Sequence, residues 1–493
     1  MFAIDINKVN FEYDVNAIVR AFYPGETVTV LTPETGIEKR SKAQGAVRMT
    51  INIVDDKEAP NPGAVIELGE QHFTWIYDAA EGKFKDGFKR FLYRTLCEVT
   101  GRKLPWGNLT GIRPTKIAYS MLESGKSDEE ILEFYQREHY VSEEKAKLSI
   151  EIAKRERKLL EGVHYEGGYS LYLGIPFCPT TCLYCSFTSY PIAAHRKIVD
   201  SYIDCLIREM EYTAEAFADK ILDSVYVGGG TPTTLEAEQL DRLLTRLKEL
   251  FDFSMVKEFT VEAGRADSIT REKLEVLKRH GISRISVNPQ TMNQKTLEII
   301  GRKASVEQVR EAYALAREVG FDNINMDLIL GLPGEMEEDV RYTVEEVVKL
   351  APDSLTVHSL AIKRASRLSQ WIQEHGVATL HNTDETMELA AEGAKRLGLV
   401  PYYLYRQKNM SGNFENVGYA QEGKLGLYNI LIMEEMQTIV ALGAGSITKK
   451  VSRQIAENGE ESVLIERCEN VKEIAQYIER IDEMLERKRT LFA

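Results

Sequence analysis

Long apolar runs are missing from this sequence. No stretch approaches the roughly 18 residues that cross a membrane. The opening residues, MFAIDINKVNFEYD, also lack the basic-then-apolar order of a secretory leader. A basic surplus is missing too: the formal net charge is -14, which argues against a large nucleic-acid surface. Cysteine is scarce, at six among 493 residues, so disulfide staples are not what holds the core. These absences place the expected chain in the cytoplasm, where thiols stay reduced and clustered cysteines imply metal or redox chemistry. No internal repeat or low-complexity tract is evident.

The cysteines that are present are unevenly placed. Cys97, Cys205 and Cys468 stand alone and read as buried small hydrophobes. Cys178, Cys182 and Cys185 fall within eight residues of one another, in LYLGIPFCPTTCLYCSF.

The chain is expected to divide in three. Residues 1–160 read as an N-terminal α/β domain, with strands at GAVRMTINIV and AVIEL and a helix, FKDGFKRFLYRTLCEVTG, ending at Gly101. SEEKAKLSIEIAKRERKLLEG reads as a long charged helix leading out of it. Residues 161–380 alternate six apolar runs with helical patterns, which means βαβ units and a parallel sheet. Six strands make a partial (β/α)6 barrel. Residues 381–493 break the pattern and read as a C-terminal α+β domain.

Reactive groups of a parallel α/β barrel sit at the carboxyl ends of its strands. The cysteine loop follows the first run directly. The later runs end in Gly228-Gly229-Gly230-Thr231, in Glu262 and in Gln290; Asp327 lies within its run, which closes on Gly-Pro-Gly. Singly, each has a bland explanation in a tight turn, a hydrogen-bonded buried acid or a turn residue. Their order and shared rim make the set informative.

Thiolates are soft, charged ligands that suit iron–sulfur clusters or zinc. Structural zinc takes four ligands, usually in two pairs. Here there are three, and His195, the nearest histidine, lies ten residues past Cys185. A cubane takes one ligand per iron, so three thiolates leave one iron open.

The Cys-x3-Cys-x2-Cys loop resembles that of the radical S-adenosylmethionine (SAM) superfamily, in which SAM binds the open iron. The resemblance implies a [4Fe–4S] cluster ligated by Cys178, Cys182 and Cys185, one or two SAM molecules, and a 5′-deoxyadenosyl radical that takes a hydrogen atom from substrate. GGGTPT, VEAG, SVNPQ, MDLILGLPGE and GLVPYYLYRQKN follow in the order found in the oxygen-independent coproporphyrinogen III oxidase family. LTGIRPTKI at 109–117 resembles its longer Z-type coproporphyrinogen dehydrogenase branch. The family decarboxylates two propionates to vinyls, converting coproporphyrinogen III to protoporphyrinogen IX in haem biosynthesis, and draws electrons from a donor such as a flavodoxin or ferredoxin. Carried over residue by residue, the resemblance puts Tyr172, Tyr184, Gly229, Gly230, Thr231, Glu262, Gln290, Arg302, Asp327 and Ala361 around SAM.

One position departs from the pattern. Where proven oxidases usually carry a fourth, non-ligating cysteine, this chain has Phe187, preceded by Ser186. Relatives with an aromatic there include haem chaperones and haem-degrading methyltransferases. A decarboxylase, a haem chaperone and another tetrapyrrole-modifying enzyme therefore all stay open. His358 is the candidate axial haem ligand. Lys363, Arg364, Arg367, Arg406 and Lys408 are candidates to pair with tetrapyrrole propionates, with Tyr405 and Gln407 as further polar contacts.

Overall fold

The computed structural model describes residues 1–23, 26–55, 60–363, 366–376, 380–407, 414–455 and 461–493. They form two compact units, Met1–Glu151 with Arg406–Phe414, and Ile152–Tyr405 with Glu415–Ala493. The division between them falls inside the long charged helix Glu143–Leu160. The expected third domain does not separate, because its strands join the barrel's own sheet.

The first unit is built on five strands: β1 (Phe2–Ile6), β2 (Val28–Leu31), β3 (Val47–Val54), β4 (Gly63–Leu68) and β5 (Gln71–Ile76), in the order β2-β1-β3-β4-β5. β1 runs parallel to β2 and β3, while β3, β4 and β5 form an antiparallel meander. β3 and β4 are the two strands expected from sequence. Helices Glu12–Phe22 and Phe84–Thr100 bury Val15, Phe22, Phe88 and Leu96 against Phe2, Ile4 and Ile51. The second helix ends where expected: Gly101 is left-handed at φ 67° and its N–H caps the Cys97 carbonyl. Cys97 is only half-buried, at the margin of this core, whereas Cys205 and Cys468 are buried as expected.

The second unit holds an eleven-stranded sheet. Its centre is six parallel strands: β6 (Gly168–Ile175), β9 (Ile221–Gly229), β10 (Glu258–Gly264), β11 (Arg284–Val287), β12 (Ile324–Leu330) and β13 (Ser354–Ser359). A short pair, β7 (Phe177–Cys178) and β8 (Tyr190–Pro191), brackets the cysteine loop. Antiparallel β15 (Asn416–Ala420) and β14 (Val400–Tyr405) extend the β13 edge. Parallel β16 (Thr438–Leu442), then antiparallel β17 (Ile447–Ile455) and β18 (Glu461–Glu469), extend the β6 edge. Among the described residues no helix is long and apolar enough to cross a membrane.

The six parallel strands are sealed almost throughout, as strands covered on both faces must be. The exceptions are the point of the fold. In β6, β9, β10, β12 and β13 the mid-strand residue left part-exposed is Tyr172, Tyr226, Glu262, Asp327 and His358 respectively. Tyr172 and Tyr226 are register partners. The sheet therefore opens its apolar wall at a set of polar side chains, mostly toward the strands' carboxyl ends.

Candidate active site

Two successive backbone bonds set the cysteine loop against the glycine turn after β9. Gly230 N–H donates to Ile175 O at 2.8 Å and Thr231 N–H to Phe177 O at 2.7 Å. A side chain at position 230 could not fit, since a Cβ would lie 2.6 Å from Phe177 O and 3.0 Å from Cys178 Sγ. Gly229 has φ +107°, a conformation side chains rarely adopt. The glycine run is thus required twice over, by contact and by backbone angle.

The loop is then tied to three other segments: the end of helix Gln294–Ile299, the start of helix Leu368–His375, and the residue after β10. Thr180 Oγ1 donates to Gly301 O at 2.9 Å, and Leu183 N–H to Ile300 O at 3.0 Å. Arg367 Nη2 donates to Thr181 O at 2.5 Å, and Leu368 N–H to Leu183 O at 3.0 Å. Arg265, just past β10, donates through Nη1 to Thr180 O at 3.0 Å and Thr180 Oγ1 at 2.8 Å.

Cys178 and Cys182 are buried and Cys185 is partly so. Burial pushes the Cys178 thiol up to about 11, against the pull of the Thr231 hydroxyl 3.5 Å away. Burial also raises the Cys185 thiol, which faces Ser189 Oγ at 3.8 Å. A nearby cation or metal would favour the thiolate form of these two sulfurs. Among the described residues no three acid, histidine or cysteine groups converge on one ion-sized point. A cubane asks for none, because each thiolate takes its own corner.

Beyond the loop, Glu262 accepts the Tyr226 hydroxyl at 2.6 Å. Burial holds its carboxyl up at about 7; the Tyr226 hydrogen bond opposes the rise and the neighbouring Asp327 adds to it. Asp327 accepts from Asn325 Nδ2 at 2.7 Å and lies 3.9 Å from His358 Nε2. Burial lowers the basicity of His358, partly offset by that carboxylate, and its Nδ1 lies 3.4 Å from the Tyr405 hydroxyl. Tyr172, Tyr226 and Tyr428 stack, with centroids 4.4 Å apart for Tyr226–Tyr428 and 6.2 Å for the pairs with Tyr172.

Gln290 is held left-handed at φ 68°, with its N–H bonded to Asp327 O and its carbonyl to Ile329 N–H. Arg302 donates to Asn288 O and, at 3.4 Å, to the Tyr184 hydroxyl. Burial works against its charge, but the Tyr184 phenol and the Cys182 thiol beside it raise its basicity overall. Three buried polar atoms here lack a hydrogen-bond partner: Asn288 Oδ1, Gln290 Oε1 and Arg302 Nε. Orphaned groups of this kind mark a place that a polar ligand completes.

Of the other expected residues, Ala361 follows the end of β13 and Lys363 lies half-buried beyond it. Arg364 and Lys408 lie outside the described residues. Arg367 serves the cysteine loop. Arg406, a propionate candidate expected in the C-terminal domain, falls in the N-terminal unit. There it is buried, donates to Leu109 O at 2.6 Å and lies over the Trp106 ring at 5.8 Å. Its charge answers a local carbonyl and an aromatic face, which sequence alone does not disclose. Tyr226, Tyr428, Asn288 and Arg265 were not anticipated. Tyr226 was within reach, because it alternates with Gly228 on one face of β9.

A six-strand parallel barrel with three thiols beyond its first strand is the architecture of a radical SAM protein, and the Radical SAM superfamily model matches residues 172–347. An oxygen-independent coproporphyrinogen-III oxidase-like protein, HemZ of Bacillus subtilis, is 41% identical over 433 residues, 85% of this chain and 84% of that one. The chain belongs to this oxygen-independent coproporphyrinogen-III oxidase-like family of radical SAM proteins. Heme chaperone HemW of Lactococcus lactis is 38% identical over 194 residues, covering 39% of this chain and 49% of that one. The solved structure of Escherichia coli coproporphyrinogen III oxidase (HemN) shares the fold, with a TM-score of 0.50 and 24% identity over 67% of this chain and 73% of that one.

Proposed function

We propose that this protein carries out the oxygen-independent oxidative decarboxylation of coproporphyrinogen III to protoporphyrinogen IX. The observation that carries the reading is the likeness to a coproporphyrinogen-III oxidase-like protein along most of both chains, well beyond the barrel. The site fits the cofactors the superfamily uses. The Cys178 sulfur faces a glycine turn that leaves no room for a side chain, and orphaned polar atoms lie on Asn288, Gln290 and Arg302.

When bound, the cluster and SAM supply a one-electron source and a group able to take a hydrogen atom from an unactivated carbon. Cys178, Cys182 and Cys185 would hold the cluster, and SAM would bind beside it. The Gly229–Gly230 backbone lets the methionine end approach closely. Arg302 suits a carboxylate and Glu262 a ribose hydroxyl or ammonium. Gln290 and Asp327 complete the polar rim. Tyr172, Tyr184 and Ala361 border one or two SAM molecules. A one-electron donor such as a flavodoxin or ferredoxin must reach the cluster.

A second reading is favoured by Phe187, which stands 76% exposed at the edge of the cysteine loop, and by the HemW match. In it the protein binds haem without altering it, through His358. One anaerobic experiment separates the two. Reductant, SAM and coproporphyrinogen III should yield carbon dioxide and vinyl products in proportion to 5′-deoxyadenosine. Stoichiometric haem binding with no change in coproporphyrinogen mass would establish the second reading instead. In either case Cys182→Ala should lose iron and sulfide. Glu262→Ala and Asp327→Ala should keep them while weakening SAM binding about 30–150-fold.

A further inference from the structure

One charged group in the cysteine loop's surroundings has no part in the assignments above. Arg265 lies just beyond β10 and is only 4% exposed. Its guanidinium is used on both edges. Nε and Nη2 form a fork on Asp267, at 3.0 and 2.7 Å. Nη1 points the other way, to Thr180 O, Thr180 Oγ1 and, at 3.9 Å, to Cys182 Sγ. A fork of this kind fixes the plane of the guanidinium, so the donor aimed at sulfur is not free to rotate away. Arg302 also interacts with the Cys182 thiol. Cys182 therefore has two guanidinium groups near it, the buried Arg265 and the part-buried Arg302.

We propose that Arg265, oriented by Asp267, is a positioning residue that tunes the reduction potential of the cluster through the Cys182 sulfur. This rests on the three-thiol cluster reading above. Hydrogen bonds to sulfur and nearby charge are among the levers that set an iron–sulfur potential. A cation at the sulfur stabilises the reduced, more negative cluster and makes it easier to form. Asp267 has two effects: it holds the guanidinium in place, and its own negative charge offsets part of that cation's field. Thr180 still anchors Arg265 Nη1 when Asp267 is changed, so losing Asp267's charge outweighs losing the fork, and removing each partner should move the potential in opposite directions.

The test is an EPR-monitored redox titration of the reconstituted full-length protein, with iron counted per chain. Arg265→Gln should shift the midpoint potential negative. Asp267→Asn should shift it positive. Arg265→Lys keeps the charge but cannot form the fork, and should fall between wild type and Arg265→Gln. Unchanged potentials, or shifts of the same sign in Arg265→Gln and Asp267→Asn, would overturn the proposal, since a merely structural contact gives loss of iron without opposed shifts. If Arg265→Gln fails to fold, Asp267→Asn and Arg265→Lys still decide it by the sign and order of their shifts. A wild-type protein that takes up no cluster would overturn the cluster reading and this proposal together. A wild type with a cluster and unmoved variants would overturn this proposal alone.

Discussion

Glu262 shows how one side chain carries both the cost and the use of this site. It lies mid-strand in a wall that is otherwise sealed, and its carboxyl is held up at about 7 from an ordinary 4.5. Between those values the folded chain keeps a proton that the unfolded chain has released. Its stabilising contribution is therefore complete below about pH 4.5 and is lost as pH rises through about 7. Glu335, buried in the turn after β12 and accepting Thr291 Oγ1 at 2.5 Å, is also raised to about 7 and acts with the same sign. Without SAM, the melting temperature should fall as pH rises from about 5 to about 8. Glu262→Gln should remove part of that fall, gaining on the order of 3 kcal/mol over wild type at the alkaline end. A difference that does not vary with pH would mean that Glu262 is already ionised in the fold.

The cysteine loop is the element on which the chemistry depends, and the ends of other elements hold it in place. Arg367 immediately precedes helix Leu368–His375 and gives its guanidinium to the loop carbonyl of Thr181. Arg367→Ala should accordingly speed loss of iron to a chelator several-fold. A propionate contact would instead weaken tetrapyrrole binding and leave iron retention unchanged, so the two measurements assign the residue. Much at this scale was legible beforehand. The six apolar beats became the six parallel strands, Gly101 ended its helix, and the cysteines fell after the first strand, because hydrophobic period and glycine angle are local properties. What was illegible is what strand register creates. Nothing near Arg265 in sequence points to Cys182, and nothing near Tyr428 points to Tyr172 and Tyr226. Nor does the change of pattern near residue 380 reveal that β15 and β16 pair with β13 and β6 instead of building a domain of their own.

At the scale of the whole molecule the governing quantity is charge. The chain carries a net -14, and the proposed substrate brings four carboxylates. Attraction has to come from a few cations against a repulsive field. Of the cations first considered, Arg406 is occupied in the N-terminal unit and Arg367 holds the cysteine loop. Lys363 is the remaining one among the described residues, and burial lowers the basicity of its ammonium. A half-buried charge is screened by salt less than the distant surface acids are, and the Debye length is about 30 Å at 0.01 M but about 8 Å at 0.15 M. Raising salt across that range should therefore remove more repulsion than attraction. The association rate of coproporphyrin III, followed by stopped-flow fluorescence, should rise with salt and then level off. Lys363→Glu should lower the rate at every salt concentration and steepen the rise, because it adds a further negative charge near the binding groups. A wild-type rate that falls with salt would show instead that local cations outweigh the net field, and would place the propionate contacts on a basic cluster larger than Lys363.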